Sequence, residues 1–160
     1  MDELNWCIKM KDGLRLIEPN KNLGVGYLKM AEEAIGTMNR EKDKNLRFSM
    51  SAGYYSIYYS LYAIMQKIGI KCEIHTCSFA FMKKFLFEFY SQDFIDLIDK
   101  AFIVRKNLQY YVNKEVNKND IKLILDKSYD FFVLSRDLFS KLSEKEIKEI
   151  RNKFQEVKNE

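Results

Sequence analysis

The sequence is poor in turn-forming residues and in the residues that carry metal, thiol and proton chemistry. Its 160 residues include one proline, six glycines, one histidine, one tryptophan and three cysteines. So little glycine and proline argues against an all-β fold, whose many short strands each need a turn. The cysteines, Cys7, Cys72 and Cys77, are odd in number and show no framework spacing, which argues against a disulfide scaffold. Long apolar runs are missing too: the most apolar stretch, Ile57 to Met65, is too short and too rich in tyrosine to span a bilayer. The first residues are acidic and broken by charge, so no signal peptide is expected, and a reducing cytoplasm is the simplest home. No phosphate-cradling glycine loop, Ser-His-Asp set or pair of catalytic carboxylates can be read from the pattern. Gly24 and Gly26 lie within a helical pattern and are not a nucleotide fingerprint.

What the chain does have is apolar and aromatic matter. Hydrophobic residues make up 47% and aromatics 14%, enough for a packed core and too much for disorder. At this length a single domain over residues 1–160 is the default. The net charge is +4, and the excess is local. From Lys100 to Lys122 there are six cations (Lys100, Arg105, Lys106, Lys114, Lys118 and Lys122) against Glu115 and Asp120, and the rest of the chain balances at 21 against 21. Such a patch is either a phosphate attractor or a solvated helix end.

Helical periodicity dominates. A first helix is expected over about 2–14, with Leu4, Ile8 and Trp6 inward, followed by a stop at Glu18-Pro19-Asn20, where Asn20 can cap the next helix. The second, about 21–40, places Leu23, Tyr27, Met30, Ala31, Ala34, Ile35 and Met38 on one face. The third, about 46–69, is apolar or tyrosine almost throughout from Tyr54 to Met65, which marks a central helix. It carries two tyrosine stripes, Tyr54-Tyr58-Tyr62 and Tyr55-Tyr59, expected mainly as core with satisfied hydroxyls, and Gly69 closes it. Further helices are expected over about 76–89, 92–112 (capped by Ser91) and 120–141, the last with Tyr129 and Arg136 on its inward set. Ser143-Glu144-Lys145-Glu146 fits a capping box that starts a charged tail helix over about 144–157. With only Ile147, Ile150, Phe154 and Val157 to bury, the tail helix should be peripheral or pack on a partner. No strand pattern is visible. The expectation is an all-α bundle with a core over 21–142, an N-terminal helix and turn over 1–20, and a peripheral C-terminal helix over 143–160.

One residue conflicts with its surroundings. On a helical wheel Phe94, Leu97, Ile98, Ala101, Val104, Leu108, Tyr111 and Val112 share a face, and Arg105 falls inside it. A buried cation must find a carboxylate, carbonyls, water or a ligand. Glu32, Glu33 and Asp130 are candidate partners for an internal ion pair. The alternative is a wet cleft, within one subunit or between two, in which the guanidinium holds a phosphate.

Leu4-Asn5-Trp6-Cys7, Leu16-Ile17-Glu18-Pro19-Asn20, Tyr27-Leu28-Lys29-Met30-Ala31-Glu32-Glu33-Ala34, Ala52-Gly53-Tyr54-Tyr55-Ser56-Ile57-Tyr58-Tyr59, Gly69-Ile70-Lys71-Cys72-Glu73-Ile74-His75, and Arg105 with Tyr110 together resemble the HEPN family. These are small α-helical domains that bind nucleotides or RNA, and the resemblance is to the archaeal and bacterial members that accompany minimal nucleotidyltransferases. It implies an up-and-down helical bundle of the HEPN type with extra N- and C-terminal helices. It also implies a homodimer whose late helices meet at a cleft, and a toxin–antitoxin setting. Catalytic members resemble metal-independent ribonucleases: an arginine, often followed by Asn or Asp, steadies the phosphate, and a histidine four to six residues later moves the proton.

Here Arg105 matches, Asn107 sits two positions after it rather than one, and Tyr110, Tyr111 and Val112 stand where the histidine belongs. Tyrosine, with a pKa of about 10, is a poor proton shuttle near neutrality, and losing the general acid–base typically removes about 10²- to 10⁴-fold of rate. Tyr110 lies about 140° around a regular helix from Arg105, so Tyr111 is the better placed tyrosine while the family motif favours Tyr110. Lys106, Lys114 and Lys118 would extend a nucleotide or RNA site. His75, between Cys72 and Cys77, could be drawn into a zinc site, but the spacing is not a standard one and no metal or cofactor is expected. His75 or Thr76 capping the fourth helix is the structural reading, and His75 remains a minor candidate base. Three functions follow: a dimeric nucleotide- or RNA-binding and partner-binding subunit with a degenerate motif, a metal-independent endoribonuclease toxin, or a plain helical interaction module.

Overall fold

The computed structural model describes residues 3–159. Among them it is an all-α bundle of seven helices: α1 (Glu3–Lys9), α2 (Lys21–Glu41), α3 (Leu46–Ile68), α4 (His75–Phe85), α5 (Gln92–Tyr110), α6 (Lys118–Lys141) and α7 (Glu144–Asn159). Two-residue strands, β1 (Arg15–Leu16) and β2 (Ile70–Lys71), pair antiparallel, Arg15 opposite Lys71 and Leu16 opposite Ile70. The sequence gives no sign of this ladder because two residues cannot display a period of two.

Helix boundaries follow local chemistry. Asn20 Oδ1 accepts from the Leu23 amide at 2.9 Å to start α2, and Asn45 Oδ1 accepts from Phe48 at 3.2 Å to start α3. Gly69, at φ 87°, ends α3 in the left-handed conformation that glycine adopts without strain. The expected capping box at α7 forms: the Ser143 amide donates to Glu146 Oε2 at 2.8 Å, and the Glu146 amide donates to Ser143 Oγ at 3.3 Å. α1 is shorter than its apolar pattern suggested. It stops at Lys9 and the chain turns at Gly13, where a Cβ would strike the Cys7 carbonyl, so that Leu14 can donate to that carbonyl at 2.9 Å. α4 also ends early, at Phe85, because Leu86 leaves helical geometry to bury itself completely.

α3 is the central helix, with 16 of its 23 residues buried. It packs on α2, α5, α6 and α7. Close approach is permitted by Gly53, whose added Cβ would lie 2.9 Å from both Ile124 Cγ2 and Met38 Sδ. Its buried serines are paired: Ser56 Oγ donates to the Gly53 carbonyl at 2.7 Å, Ser60 Oγ to the Ser56 carbonyl at 2.6 Å, and Ser49 Oγ across to the Met38 carbonyl of α2 at 2.9 Å.

α7 needs no partner to cover its apolar stripe. Ile147, Ile150 and Phe154 are buried, and the Phe154 ring sits 5.7 Å from that of Phe85 on α4. From the same helix Arg151 Nη1 donates to the carbonyls of Ile17, Ile68 and Gly69 at 2.8, 2.9 and 3.1 Å, joining the end of α3 to the β1–β2 ladder.

Several expected core positions face outward instead. Trp6 is 42% exposed, Leu23 45%, Met30 41% and Tyr129 53%, and Arg136 is exposed, lying over the Phe132 ring at 5.2 Å. In α2, α3 contacts the flank that carries Gly24, Ala31, Ile35 and Met38, which leaves Leu23 and Met30 on the rim. The cysteine expectation also changes. Cys7 of α1 and Cys77 of α4 form a disulfide across 70 residues, with Cα atoms 5.4 Å apart, and only Cys72 is free. No helix among the described residues is long and apolar enough to cross a membrane.

Candidate functional site

α5 delivers Arg105 into the bundle, and α3 receives it. The arginine is 8% exposed. Its guanidinium carbon lies 4.9 Å from the Tyr54 ring centroid and 5.3 Å from that of Tyr55, so the cation rests on two aromatic faces. No carboxylate among the described residues comes within ion-pair distance. Glu32 and Glu33 are exposed, and Asp130 pairs with Lys127 at 3.1 Å, so the internal ion pair drawn from the sequence does not form. Arg105 Nε is buried without any hydrogen-bond partner. No side-chain hydrogen bond from its terminal nitrogens forms with the described residues either.

His75 completes the cluster. It is the first residue of α4, not its cap; the cap position is Ile74, which has no side chain to offer. The imidazole stacks on Tyr58, with centroids 4.0 Å apart and planes inclined by 13°, and its Nδ1 meets the Tyr54 hydroxyl in a short hydrogen bond. Burial, and then the Arg105 charge, lower the pKa of His75, so the ring is neutral near pH 7. Burial foremost raises the Tyr54 pKa far above the usual tyrosine range, and the neighbouring Tyr58 adds to it while Arg105 opposes. A protonated Tyr54 with no other acceptor donates to Nδ1. The ring proton then sits on Nε2, which becomes a hydrogen-bond donor. Arg105 and His75 therefore present donors and no acceptor, an arrangement suited to an anion.

The two tyrosine stripes of α3 form as expected. Tyr54–Tyr58 and Tyr58–Tyr62 stack at 6.0 and 5.6 Å, and Tyr55–Tyr59 at 5.4 Å. Tyr54 and Tyr58 are buried, whereas Tyr55, beside Arg105 and His75, and Tyr59, stacked on Tyr55, are half-buried. Tyr54, Tyr55 and Tyr58 were legible only as core. Their value to the site comes from meeting Arg105 and His75, which lie far away in the sequence.

The rest of the expected motif lies apart. Asn107 is half-buried, and its backbone carbonyl accepts from Tyr111 at 3.2 Å. Tyr110 is the last residue of α5, 63% exposed, and points away from Arg105 as the wheel required. Tyr111 and Val112 are outside the helix and exposed, which corrects their place on the apolar face. Arg47 of α3 holds that end, its guanidinium donating to the Leu108 carbonyl in a short bond and to those of Tyr111 and Val112 at 3.5 and 3.4 Å, and α5 stops two residues before its pattern runs out. Lys114 Nζ lies 4.8 Å over the Tyr111 ring, and a groove of about 450 Å³ runs between Tyr110 and Lys114. Lys106, one turn back along α5, and Lys118, which starts α6, are exposed. A wider groove of about 740 Å³ on the outer face of α6, lined by Tyr129, Arg136 and Asp137 among others, carries no candidate residue.

The Cys77 sulfur is consumed by the disulfide and Cys72 Sγ donates to the Ile74 carbonyl at 3.2 Å, so the cysteines flanking His75 do not converge on it as ligands. Among the described residues no three His, Cys, Asp or Glu side chains come together. No family model matches this sequence, and no curated protein matches it either.

Proposed function

We propose that this chain is a HEPN-type subunit of a toxin–antitoxin pair that binds a nucleotide or RNA and a minimal nucleotidyltransferase, with a degenerate ribonuclease motif. The observation that carries the reading is a guanidinium held inside the bundle on two tyrosine rings with no carboxylate among the described residues to neutralise it. An internal structural cation would be expected to have an anion beside it. The exposed aromatic and basic end formed by Tyr110, Tyr111, Lys106, Lys114 and Lys118 supports the same reading, because rings stack on bases while lysines follow phosphates.

The homodimer implied by the resemblance would use the apolar side chains at that end, Phe48 (66% exposed), Ile103 (54%) and Val112 (85%). A cytoplasmic location suits an RNA or nucleotide ligand. The buried Cys7–Cys77 disulfide counts against a reducing compartment, where such bonds are rare.

The endoribonuclease alternative needs a base. His75 stands nearest, but its acceptor nitrogen is tied to Tyr54. Binding without efficient cleavage is therefore expected. The test is fluorescence anisotropy of a labelled single-stranded RNA together with a cleavage assay in EDTA. Wild type should bind, Arg105→Ala should lose about tenfold or more in affinity, and neither should cut. RNA cut by wild type but not by the variant would replace this reading with the nuclease. RNA held equally by both would remove Arg105 from the site.

A further inference from the structure

Arg105 is not the only unmet donor in its neighbourhood. α4 starts at His75, and no side chain caps it. The Cys77 and Ser78 amides turn back to the Ile74 carbonyl at 3.0 and 3.2 Å, while no acceptor among the described residues meets those of His75 and Thr76. First-turn amides of a helix point out along its axis and favour negative charge. The same helix end carries the imidazole whose outward Nε2–H is unpaired, and Arg105 is close enough to depress that ring's proton affinity. A nine-tenths-buried arginine with an orphaned Nε thus lies beside an uncapped helix start.

The aromatic packing decides how a ligand can enter. Behind the arginine, Tyr54, Phe79 and Phe102 close on one another, with centroids 5.8 Å apart for Tyr54–Phe102 and 5.5 Å for Phe79–Phe102. In front, Tyr55, Tyr59 and His75 are half-exposed. The buried Tyr54 and Phe79 close the inner side of the arginine, which leaves the side of Tyr55 and His75 as its approach. A phosphodiester within a strand needs room for chain on both flanks, whereas a terminal phosphate does not. A terminal phosphate also brings close to two negative charges at neutral pH, which suits a full cation plus a helix start.

We infer that Arg105, the His75 Nε2–H and the amino end of α4 form one binding site for a phosphate monoester, the terminal phosphate of a nucleotide or of a 5′-phosphorylated RNA. The inference rests on the nucleotide- or RNA-binding reading above and narrows it. The guanidinium fork takes two phosphate oxygens, His75 and the α4 amides take the third, and the stacked Tyr55 and Tyr59 rings at 5.4 Å offer a face to the adjoining base.

Because the chain has a single histidine, its imidazole NMR signals report on this site alone. Inorganic phosphate and adenosine 5′-monophosphate should shift them saturably, and adenosine should not. A 5′-phosphorylated RNA oligomer should bind about tenfold tighter than its 5′-hydroxyl twin. Arg105→Ala should erase that preference. His75→Phe, which keeps the ring stacked on Tyr58 and so guards against misfolding, should reduce it. If both oligomers bind equally and Arg105→Ala weakens both, the RNA reading stands and the end-phosphate site falls. If phosphate and the mononucleotide move His75 but no oligomer binds, the site stands with free nucleotide as its ligand and the RNA reading falls. Phosphate at tens of millimolar leaving His75 unmoved would overturn the inference.

Discussion

Replacing Arg105 with leucine separates a ligand-binding arginine from a structural one. In the folded chain two opposed contributions meet at this side chain. Each cation–π contact, at 4.9 and 5.3 Å, contributes about 0.5–2 kcal/mol when partly desolvated. Against that, a buried Nε without a partner costs about 1–3 kcal/mol. The two nearly cancel, and leucine keeps apolar volume over the tyrosine rings. Arg105→Leu should therefore change the unfolding free energy by no more than about 1 kcal/mol. Urea denaturation followed by circular dichroism, at fixed pH and without phosphate, measures it. The same preparation should fail to bind RNA and should show no phosphate-induced shift at His75. Arg105→Lys keeps the charge but loses the flat fork, so it should bind weakly rather than not at all. A loss of 3 kcal/mol or more in Arg105→Leu would refute the reasoning, since that is the scale on which a buried cation with a true internal counter-charge is missed.

Reduction of Cys7–Cys77 should lower stability by roughly 4 kcal/mol, the chain-entropy value for a closed loop of this length, and thiol titration of the denatured protein should count one free thiol before reductant and three after. His75 has its pKa lowered by burial and by Arg105, so the neutral ring contributes stability above about pH 6.5 that is lost as pH falls below it; the urea midpoint should drop as pH falls below about 6.5 in wild type more than in His75→Phe. Arg47→Ala should cost about 1 kcal/mol and speed amide exchange in residues 108–112, because the α5 end loses its cation; unchanged exchange would deny Arg47 that role. Gly53→Ala, despite its better helix propensity, should destabilise by about 1–3 kcal/mol through the Ile124 and Met38 contacts at 2.9 Å, read as a lower melting midpoint.

Helices were legible wherever the information is local. Asn20, Gly69 and Ser143 act at the positions where their chemistry predicts a cap, and the uniform apolarity of α3 marks the helix the others surround. What the sequence hid depends on residues far apart in the chain. The Cys7–Cys77 bond is such a case, because its partners share no spacing rule. Trp6 and Met30 repeat at helical intervals like core residues, yet they flank the buried stripe rather than filling it. A wheel gives the angle between side chains but not the width of the face that a neighbouring helix covers.

The candidate site was half legible for the same reason. Arg105 announced itself by breaking an apolar face, which is a local signal, and its burial follows directly. What surrounds it was not local. Read as sequence, a histidine 30 positions upstream has no tie to this arginine, and the five tyrosines of α3 look like core. In the folded chain α3 supplies the rings, α4 supplies the imidazole and α5 supplies the cation, so three helices each contribute what none holds alone. The downstream tyrosines stand where the resemblance puts a histidine, but α5 ends at Tyr110 and both rings are exposed, away from Arg105. Proton chemistry sought along α5 itself thus has no group to carry it. The one imidazole nearby is neutral, half-buried and bonded through its acceptor nitrogen, and it can only donate. A cation and a donor without a base describe a place where an anion stays rather than one where a bond is cut.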